Sequence, residues 1–444
     1  MITVEPQIKV GIGTAYEKLI IRFNGSFRWE GRPISGRVTL WLDAGRLRGI
    51  DESGREFLSG PQFLVQPEAE ATFSISDVTI GVHFHWERKR QETFHGGLRV
   101  LPIMDRQLTA INEIGLEAYL ESVIASEMSA AAPLEFLKAH AVISRSWLAA
   151  MLAQKEKKAS PAPRTELPAA APEGEIVRWY GREEHEHFDV CNDDHCQRYH
   201  GLPEGPAGRA AEAVQATRGL FLMYGDEICD ARYHKACGGL TEDFATAWED
   251  ATVPYLTSLA DGEIDYPPVL TSEEAERWVS SPPLAYCNTS DPAMLRQILP
   301  AFDQETVDFF RWQVVYRRQE LEEMIAARTG CDVGTLLDLL PLARGPSGRI
   351  FRLQIKGRKA SLIVGKELEI RRVLSRSHLL SSAFVVAVER GRDGIPVQFT
   401  LRGAGWGHGV GLCQIGAAVM ATRGFTAPEI LQHYFRGAAL QRLY

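Results

Sequence analysis

The sequence lacks the features that mark several broad classes of protein. It has no long basic run and carries a formal net charge of −8, which argues against a nucleic-acid partner. Its longest apolar runs are far shorter than a membrane span requires. Its first residues, MITVEPQIKVGI, show neither the basic n-region nor the apolar h-region of a secretory leader. No internal repeat is visible, so the expectation is an ordinary folded globular chain.

Cysteine is also scarce, with 7 residues among 444. The odd count and the scattered positions argue against a disulfide framework, because only Cys191 and Cys196 lie close together. Cysteine usage therefore leaves the redox compartment open. The composition, 45% hydrophobic and 24% charged, supports a sizeable core. At about 150 residues per domain, the length predicts two or three domains.

The apolar patterning predicts an α+β fold. Alternating apolar residues separated by turn residues favour a β-rich N-terminal domain over residues 1–105. We expect a mixed α/β core with buried helices, formed by residues 106–262 and 346–444. The proline-containing segment 263–345 is expected to be a helical insertion or subdomain. Residues 153–175, rich in Lys, Pro, Ala and Glu, are typical of a solvated loop or a disordered excursion.

Two helices are predicted within residues 116–152, with a break at residues 129–132. Apolar residues recur there at three- and four-residue steps, and a proline after the break suits the first position of the second helix. Glu127 ends the first helix among small and apolar neighbours, where burial would favour the protonated acid. Lys138 and Arg145 are seven residues apart and therefore share one helix face. The pattern allows a catalytic acid facing two cations, or a surface glutamate and two snorkelling cations.

Cysteines and histidines cluster in the twelve residues HEHFDVCNDDHC. Zinc prefers four such ligands in a tetrahedron. The candidate ligands are Cys191, His195, Cys196 and one upstream histidine, either His185 or His187. A complete set of four protein ligands closes the site, so a structural zinc is expected rather than a catalytic one. The alternative is a loop in which these residues occur by coincidence.

A second unusual stretch, GAGWGHGVGLCQ, has glycine at alternate positions. Glycine is required where side chains do not fit or where φ is positive, so the backbone there can approach another group closely. The stretch presents Trp406 and His408, either along a sugar-sized cleft or within a packed strand that leads into a helix. Too few residues follow it for a dinucleotide-binding unit. The polar turn at Tyr233–Thr241 is either an ordinary loop or the rim of a cleft.

Five motifs occur in a consistent order over most of residues 98–444. They are Y-L-x-x-V-x-x-x-E-M with its following helix at Tyr119–Arg145, D-V-C…H-C-Q-x-Y at Asp189–Tyr199, the turn at Tyr233–Thr241, W-G-H-G-V-G-x-x-Q-x-G-A at Trp406–Ala417, and I-L-x-x-Y-F-x-G-A at Ile430–Ala438. In this order they resemble the family of stage II sporulation protein D and the LytB amidase enhancer. The sequence departs from the family pattern at Ser129, where proline is usual, and at Cys413, where serine is usual.

The resemblance implies a protein that acts on peptidoglycan. Members similar to the sporulation protein are lytic transglycosylases that cut glycan strands already stripped of stem peptides. Carried over by position, Glu127 is the catalytic acid, and the family's zinc histidine, six residues before the first cysteine, corresponds to His185. The residues expected to bind substrate are Lys138, Arg145, Tyr233, Lys235, Trp406, His408 and Gln414.

The hypothesis for the reaction needs only one carboxyl group. Glu127 would protonate the leaving oxygen and then deprotonate the sugar's own 6-hydroxyl, giving 1,6-anhydro ends. One alternative is a non-catalytic peptidoglycan-binding module that modifies a cell-wall amidase, and another is a zinc hydrolase that uses the Cys/His cluster. The substrate implies a location in the cell envelope, whereas the absence of a visible leader keeps the cytoplasm open.

Overall fold

The computed structural model describes residues 2–58, 60–82, 87–104, 106–159, 174–180, 185–202, 208–300, 303–304 and 308–444. The helices are α1 Leu116–Glu127, α2 Leu134–Ala159, α3 Gly208–Ala216, α4 Phe244–Ala247, α5 Ser272–Ser280, α6 Pro292–Ile298, α7 Arg318–Thr329, α8 Glu367–Val373, α9 Gln414–Thr422 and α10 Ala427–Tyr434. The strands are β1 Gln7–Tyr16, β2 Lys18–Trp29, β3 Arg32–Asp43, β4 Arg46–Asp51, β5 Glu56–Leu58, β6 Phe63–Pro67, β7 Thr72–Ile80, β8 Arg88–His95, β9 Gly97–Met104, β10 Gln107–Gly115, β11 Glu175–Val177, β12 Val190–Cys191, β13 Leu220–Tyr224, β14 Glu227–Ile228, β15 Tyr233–His234, β16 Arg311–Arg317, β17 Leu336–Arg344, β18 Ile350–Gly357, β19 Ser361–Gly365, β20 Phe384–Arg390, β21 Pro396–Ala404, β22 Leu412–Cys413 and β23 Ala439–Arg442.

An 11-stranded sheet forms the N-terminal part of the molecule. It contains β1–β10, and β12 joins its edge by pairing parallel to β1. Alternate residues of β2, such as Leu19, Ile21 and Phe23, are buried, as expected for strands with one face on a core. The predicted β-rich N-terminal region and the α+β class are confirmed.

The helix pair follows directly from the last long strand of this sheet. β10 ends at Gly115 and α1 begins at the next residue. The helix ends at Glu127, and α2 begins after Pro133, so the predicted break is confirmed. Side chains around most of the circumference of α2 are buried between residues 136 and 151, which makes it a core helix. Most of the predicted solvated segment 153–175 lies outside the described residues.

A second hydrophobic core is separate from the one that the N-terminal sheet shares with the helix pair. It is built from α7, α8 and the strands β16–β21, and includes the fully buried residues Leu321, Leu353 and Phe399. This division differs from the predicted one, because the latter half of segment 263–345 packs against strands that follow residue 345. The reason is that β16 pairs with β21, from Arg311 opposite Ala404 to Arg317 opposite Gln398.

Two very short strands bring distant segments together beside the helix pair. β15 runs parallel to β22, with Tyr233 opposite Leu412. Isolated bridges between Ala236 and Trp406 and between Glu242 and Val410 extend this contact. The polar turn and the glycine stretch therefore lie side by side. No helix in the described parts of the chain is both long and apolar enough to cross a membrane.

Candidate active site

A cleft of about 1320 Å³ opens where the end of α1, the Cys/His loop, the polar turn and the glycine stretch meet. Most of the predicted site residues line it, although they come from segments far apart in the sequence. The ones that the structure brings together are Glu127, Tyr233, Lys235, Trp406, His408, Gln414, His185, Cys191, His195 and Cys196.

Glu127 is almost fully buried, with 8% of its surface exposed. Its Oε1 accepts a hydrogen bond from the Tyr233 hydroxyl at 2.9 Å and another from the backbone N–H of Arg198 at 3.1 Å. Burial raises the pKa of Glu127, and the positive charges of Arg198 and Lys235 oppose that rise. The carboxyl group thus holds a proton more readily than an exposed glutamate does.

A network of charged side chains that the sequence did not predict surrounds Glu127. Asp303 forms ion pairs with Arg198 at 3.1 Å and with Lys235 at 2.9 Å. Arg198 also pairs with Asp194 at 2.6 Å, and the Lys235 ammonium donates to the backbone carbonyl of Glu127 at 3.0 Å. Burial alone would raise the pKa of Asp303, but the two cations hold it below its ordinary value. The network fixes the helix end that carries Glu127.

Neither cation on α2 faces Glu127, so that part of the prediction is wrong. Lys138 is only partly buried and pairs with Glu135 on its own helix at 2.7 Å. The Arg145 side chain is completely buried, and both of its described contacts with Glu117 are short: Nε to Oε1 at 3.0 Å and Nη2 to Oε2 at 2.6 Å. Arg145 is a structural residue that ties α2 to the start of α1.

The glycine stretch supplies aromatic and polar surface to the cleft. Trp406 is half-buried, and the Lys235 ammonium lies 5.9 Å from the centre of its ring. Burial, followed by the effect of neighbouring His234, lowers the pKa of His408 well below its ordinary value. The imidazole of His408 is therefore neutral, and its Nδ1 accepts the N–H of Val410 at 3.1 Å.

Gln414 contacts Glu127 indirectly, through His140 and Tyr233. Only 2% of the surface of Gln414 is exposed. Its side-chain nitrogen lies 2.9 Å from Nε2 of buried His140. The ring of His140 in turn packs edge-on against Tyr233, with 4.7 Å between the ring centres. Gln414 and His140 thereby position the tyrosine that hydrogen-bonds Glu127.

The Cys/His loop gathers four side chains that could hold a metal ion. The ligand atoms of His185, Cys191, His195 and Cys196 all lie within 4.8 Å of one another. Three sulfur–nitrogen separations are 3.4, 3.4 and 3.8 Å. Bonds of about 2.3 Å to sulfur and 2.0 Å to nitrogen would place such atoms about 3.5 Å apart in a tetrahedron. The set includes His185, whereas His187 is exposed and lies near Glu186 instead.

Comparison with known proteins gives the same relationship as these motifs. Residues 104–224 match the family described as Stage II sporulation protein, SpoIID. The chain is 24% identical over 385 residues to Stage II sporulation protein D of Bacillus subtilis, covering 86% of this chain and 91% of that protein. It is also 24% identical over 338 residues to the protein of the same name from Bacillus amyloliquefaciens, covering 76% of this chain and 77% of the relative.

Both comparisons support the resemblance to the SpoIID family, through a domain match at residues 104–224 and through 24% identity over most of the chain. The SpoIID match contains α1, α2 and the Cys/His loop, and therefore Glu127 and its neighbour Arg198. Residues 242–411 match a domain of unknown function, DUF8618, which contains Asp303, Trp406 and His408. The cleft is thus completed by residues outside the SpoIID match. The similarity connects the chain with proteins named for stage II of sporulation.

Sequence reasoning missed Arg198 and Asp303 for different reasons. Arg198 occupies the variable position of the H-C-Q-x-Y motif, and it contributes both its guanidinium charge and its backbone N–H to the site. Its place directly after the Cys/His cluster was the available signal. Asp303 lies in a segment without a recognisable motif, and only tertiary packing brings it beneath Lys235.

Proposed function

We propose that this chain is a lytic transglycosylase that cuts peptidoglycan glycan strands, with Glu127 as its acid and base. The observation that carries the proposal is the carboxyl group of Glu127, buried at the wall of a large cleft and held at one oxygen by Tyr233 and Arg198. Such burial favours the protonated form that a general acid requires. The family relationship, with its link to sporulation, supports a cell-wall substrate.

The two oxygens of Glu127 have different roles in this mechanism. Both described hydrogen bonds reach Oε1, which leaves Oε2 to exchange a proton with the ligand. In the first step Oε2 gives its proton to the glycosidic oxygen as the bond from that oxygen to the anomeric carbon breaks. In the second step the 6-hydroxyl of the same sugar attacks the anomeric carbon and returns a proton to Oε2. The reaction consumes no water and regenerates the acid.

The two acids joined to Glu127 through Arg198 support an intramolecular attack over a two-carboxylate hydrolysis. A retaining or inverting glycosidase needs a second carboxylate as nucleophile or base. Asp194 and Asp303, the acids linked to Glu127 through Arg198, are both engaged in ion pairs with that arginine. Neither is therefore well placed to attack a sugar or to activate water.

The Cys/His loop is proposed to hold a structural zinc ion. Its four donors would complete a tetrahedron around zinc and leave no open position for substrate, which disfavours a zinc hydrolase. The ion would stabilise the loop that begins at Cys191, pairs with β1 and ends near Arg198. Through that loop, His185, Cys191, His195 and Cys196 would position the N–H group that binds Glu127.

The proposal is tested by replacing the acid without changing its shape. Glu127→Gln keeps an oxygen for Tyr233 and Arg198 but has no acidic proton, so cleavage should fall by about 10²- to 10⁴-fold. Mass spectrometry of digested, peptide-free glycan strands measures 1,6-anhydro ends. Glu121→Gln, on the same helix, is the matched control and should keep activity.

Two outcomes would contradict the proposal. Full activity in Glu127→Gln would remove Glu127 from the chemistry. A wild-type chain that binds glycan strands, yields no anhydro ends and increases cleavage by an added cell-wall amidase would instead be an amidase enhancer.

The stability of the Gln variant provides a control for folding. Because the pKa of Glu127 is raised, its ionisation costs stability at higher pH. The free energy of unfolding of the Gln variant should therefore be at least as large as that of the wild type at neutral pH. This result would exclude unfolding as the cause of lost activity.

A further inference from the structure

Four potential metal ligands meet in the interior behind the polar turn and the glycine stretch. Cys237, Asp261, Cys287 and Cys413 are all buried, and one ligand atom of each lies within 4.8 Å of the others. The sulfur atoms of Cys237 and Cys287 are 3.5 Å apart. Tetrahedral zinc with sulfur ligands at about 2.3 Å separates neighbouring sulfurs by about 3.8 Å. The four side chains therefore need only small shifts to bind one ion.

Backbone N–H groups are directed at two of the sulfur atoms. Cys413 Sγ accepts from the N–H of Cys237 at 3.3 Å and from that of Gly416 at 3.4 Å. Cys237 Sγ accepts from the N–H of Gly239 at 3.3 Å, where a φ of +111° requires glycine. Such donors stabilise negative charge on sulfur, and hydrogen bonds to sulfur ligands are a general means of tuning metal centres.

The carboxylate of Asp261 is oriented in the same way. The Tyr434 hydroxyl donates to its Oδ1 at 2.5 Å, and the backbone N–H of Cys287 donates to its Oδ2 at 2.8 Å. A carboxylate with no exposed surface needs a cation or a proton to balance its charge. The neighbouring guanidinium of Arg311 is directed instead at the backbone carbonyls of Gly238, Phe310 and Trp278. A bound cation would supply the missing charge.

We propose that Cys237, Asp261, Cys287 and Cys413 form a second, closed zinc site that is independent of the Cys/His loop. Three thiolates and one carboxylate in a tetrahedron suit Zn²⁺, because thiolate ligands select zinc over magnesium and calcium. With four protein ligands the site is structural, and its donor set differs from that of the Cys/His loop by containing no imidazole.

The site would fasten one wall of the active-site cleft. Cys237 lies two residues after Lys235, and Cys413 directly precedes Gln414. Asp261 and Cys287 lie in the loops before and after α5. An ion at this point would join the polar turn, the loops on either side of α5 and the start of α9. It would thereby fix Lys235 and Gln414, which contact Glu127 and the His140–Tyr233 pair.

The first measurement uses the purified full chain without substitutions. Elemental analysis should find two zinc ions per chain, one for each site. X-ray absorption at the zinc edge should give a mean of about 2.5 sulfur ligands per zinc, because one site has two thiolates and the other has three. If the Cys/His loop binds no metal, the expected result becomes one zinc per chain with three sulfurs and no imidazole scattering. This outcome would separate the new site from the one in the Cys/His loop.

Variants then assign each ion. Cys287→Ser and Cys413→Ser should each lose one zinc per chain and lower the mean sulfur count at the remaining zinc to two. Cys191→Ser should also lose one zinc, but should raise the count at the remaining zinc to three. Cys229→Ser and Cys331→Ser replace cysteines outside both clusters and should change neither number.

Three results would overturn the proposal. They are a wild-type chain whose zinc is coordinated entirely by two sulfurs and two imidazoles, unchanged zinc content in folded Cys287→Ser, and a disulfide between Cys237 and Cys287 in freshly purified protein. Mass spectrometry after alkylation detects the last of these. Because the wild-type measurements need no variant, unfolding of a cysteine variant does not prevent a decision.

Discussion

Glu127 experiences opposing effects on its proton affinity. Removal from water favours the protonated acid, whereas the charges of Arg198 and Lys235 favour the carboxylate. A lytic mechanism uses both forms, since the acid must lose a proton in one step and regain it in the next. A cation close to the carboxyl group therefore helps the first proton transfer, because a lower pKa makes Glu127 a stronger acid, whereas burial helps the carboxylate to regain a proton in the second step.

The balance at Glu127 can be tested through Lys235. The protonated acid is needed first, so kcat/KM should fall as pH increases through the raised pKa of Glu127. Lys235→Met removes a cation that lowers this pKa, and the alkaline limb of the profile should move to higher pH. The measurement is kcat/KM for peptide-free glycan against pH.

Lys138→Met provides the control for this substitution. The same change is made on α2, where Lys138 pairs with Glu135 and lies outside the cleft. Its pH profile should coincide with that of the wild type. A shift of the Lys235→Met profile to lower pH would contradict the assigned electrostatic role.

Individual site residues were predictable where a motif defined them, and less so where packing did. The end of a helix and the following apolar residues indicated Glu127, and the spacing to the first cysteine indicated His185. Helical periodicity predicts that Lys138 and Arg145 share one face of α2, but it contains no information on which element covers that face. Glu117 covers Arg145 in the structure, and the salt bridge replaces the predicted role in the cleft.

This buried salt bridge links α1 with α2. Glu117 also accepts hydrogen bonds from the backbone N–H of Gly219 at 3.2 Å and from the Tyr444 hydroxyl at 2.5 Å. Burial alone would raise the pKa of Glu117, but its contact with Arg145 holds the pKa below the ordinary value. The carboxylate thus connects both helices with the strands near β13.

Loss of the charge on Glu117 should destabilise the helix pair. Glu117→Gln leaves the guanidinium of Arg145 buried without a counter-ion, and the free energy of unfolding should fall by about 3–5 kcal/mol. Lys138→Met breaks a partly exposed ion pair and should cost less than about 1 kcal/mol. Denaturant titrations at neutral pH measure both values.

The effect of Glu117 should also depend on pH in a defined direction. Because its pKa is lowered in the folded state, its stabilisation is present above the unfolded pKa of about 4.3. It is lost as pH falls through the lower, folded-state pKa. The difference between wild type and Glu117→Gln should therefore narrow in acid. A difference that widened in acid would be inconsistent with the salt bridge.

Longer elements were the predictable ones. The two helices with the break between them and the strands of the N-terminal region agree with the sequence pattern. The strands β15 and β22 contain two residues each, too few for any alternation to be recognised. These two strands align the polar turn with the glycine stretch. The shape of the cleft could therefore not be predicted from the sequence.

At the scale of the whole molecule, Arg349 connects the second hydrophobic core with the cleft. It is fully buried at the start of β18 and donates to the carbonyls of Gly407 at 3.1 Å and Cys237 at 3.2 Å. A Cβ atom on Gly409 would lie 2.5 Å from its guanidinium carbon. The alternating glycines thus leave room for an arginine from another part of the chain.

Replacement of Gly409 should disturb this connection. Gly409→Ala combines a φ of +82° with a collision against Arg349, whereas Gly424→Ala, at +92°, meets no atom within 4 Å. The control should lose about 1–2 kcal/mol from backbone strain alone. The Gly409 variant should lose more and should also lose glycan cleavage. Thermal unfolding and product analysis measure the two effects, and equal losses in both variants would contradict the role of Arg349.

The parallel contact between β15 and β22 has a consequence for how the protein is made. Lys235 and Cys413 are separated by 178 residues of chain, so the ribosome adds almost all of the molecule before these neighbours can meet. Closing so long a loop is slow, and until then Trp406, His408 and Gln414 are not beside Glu127. A nascent or prematurely terminated chain therefore contains the acid but no groove to present a substrate to it, and activity should begin only when synthesis is nearly finished.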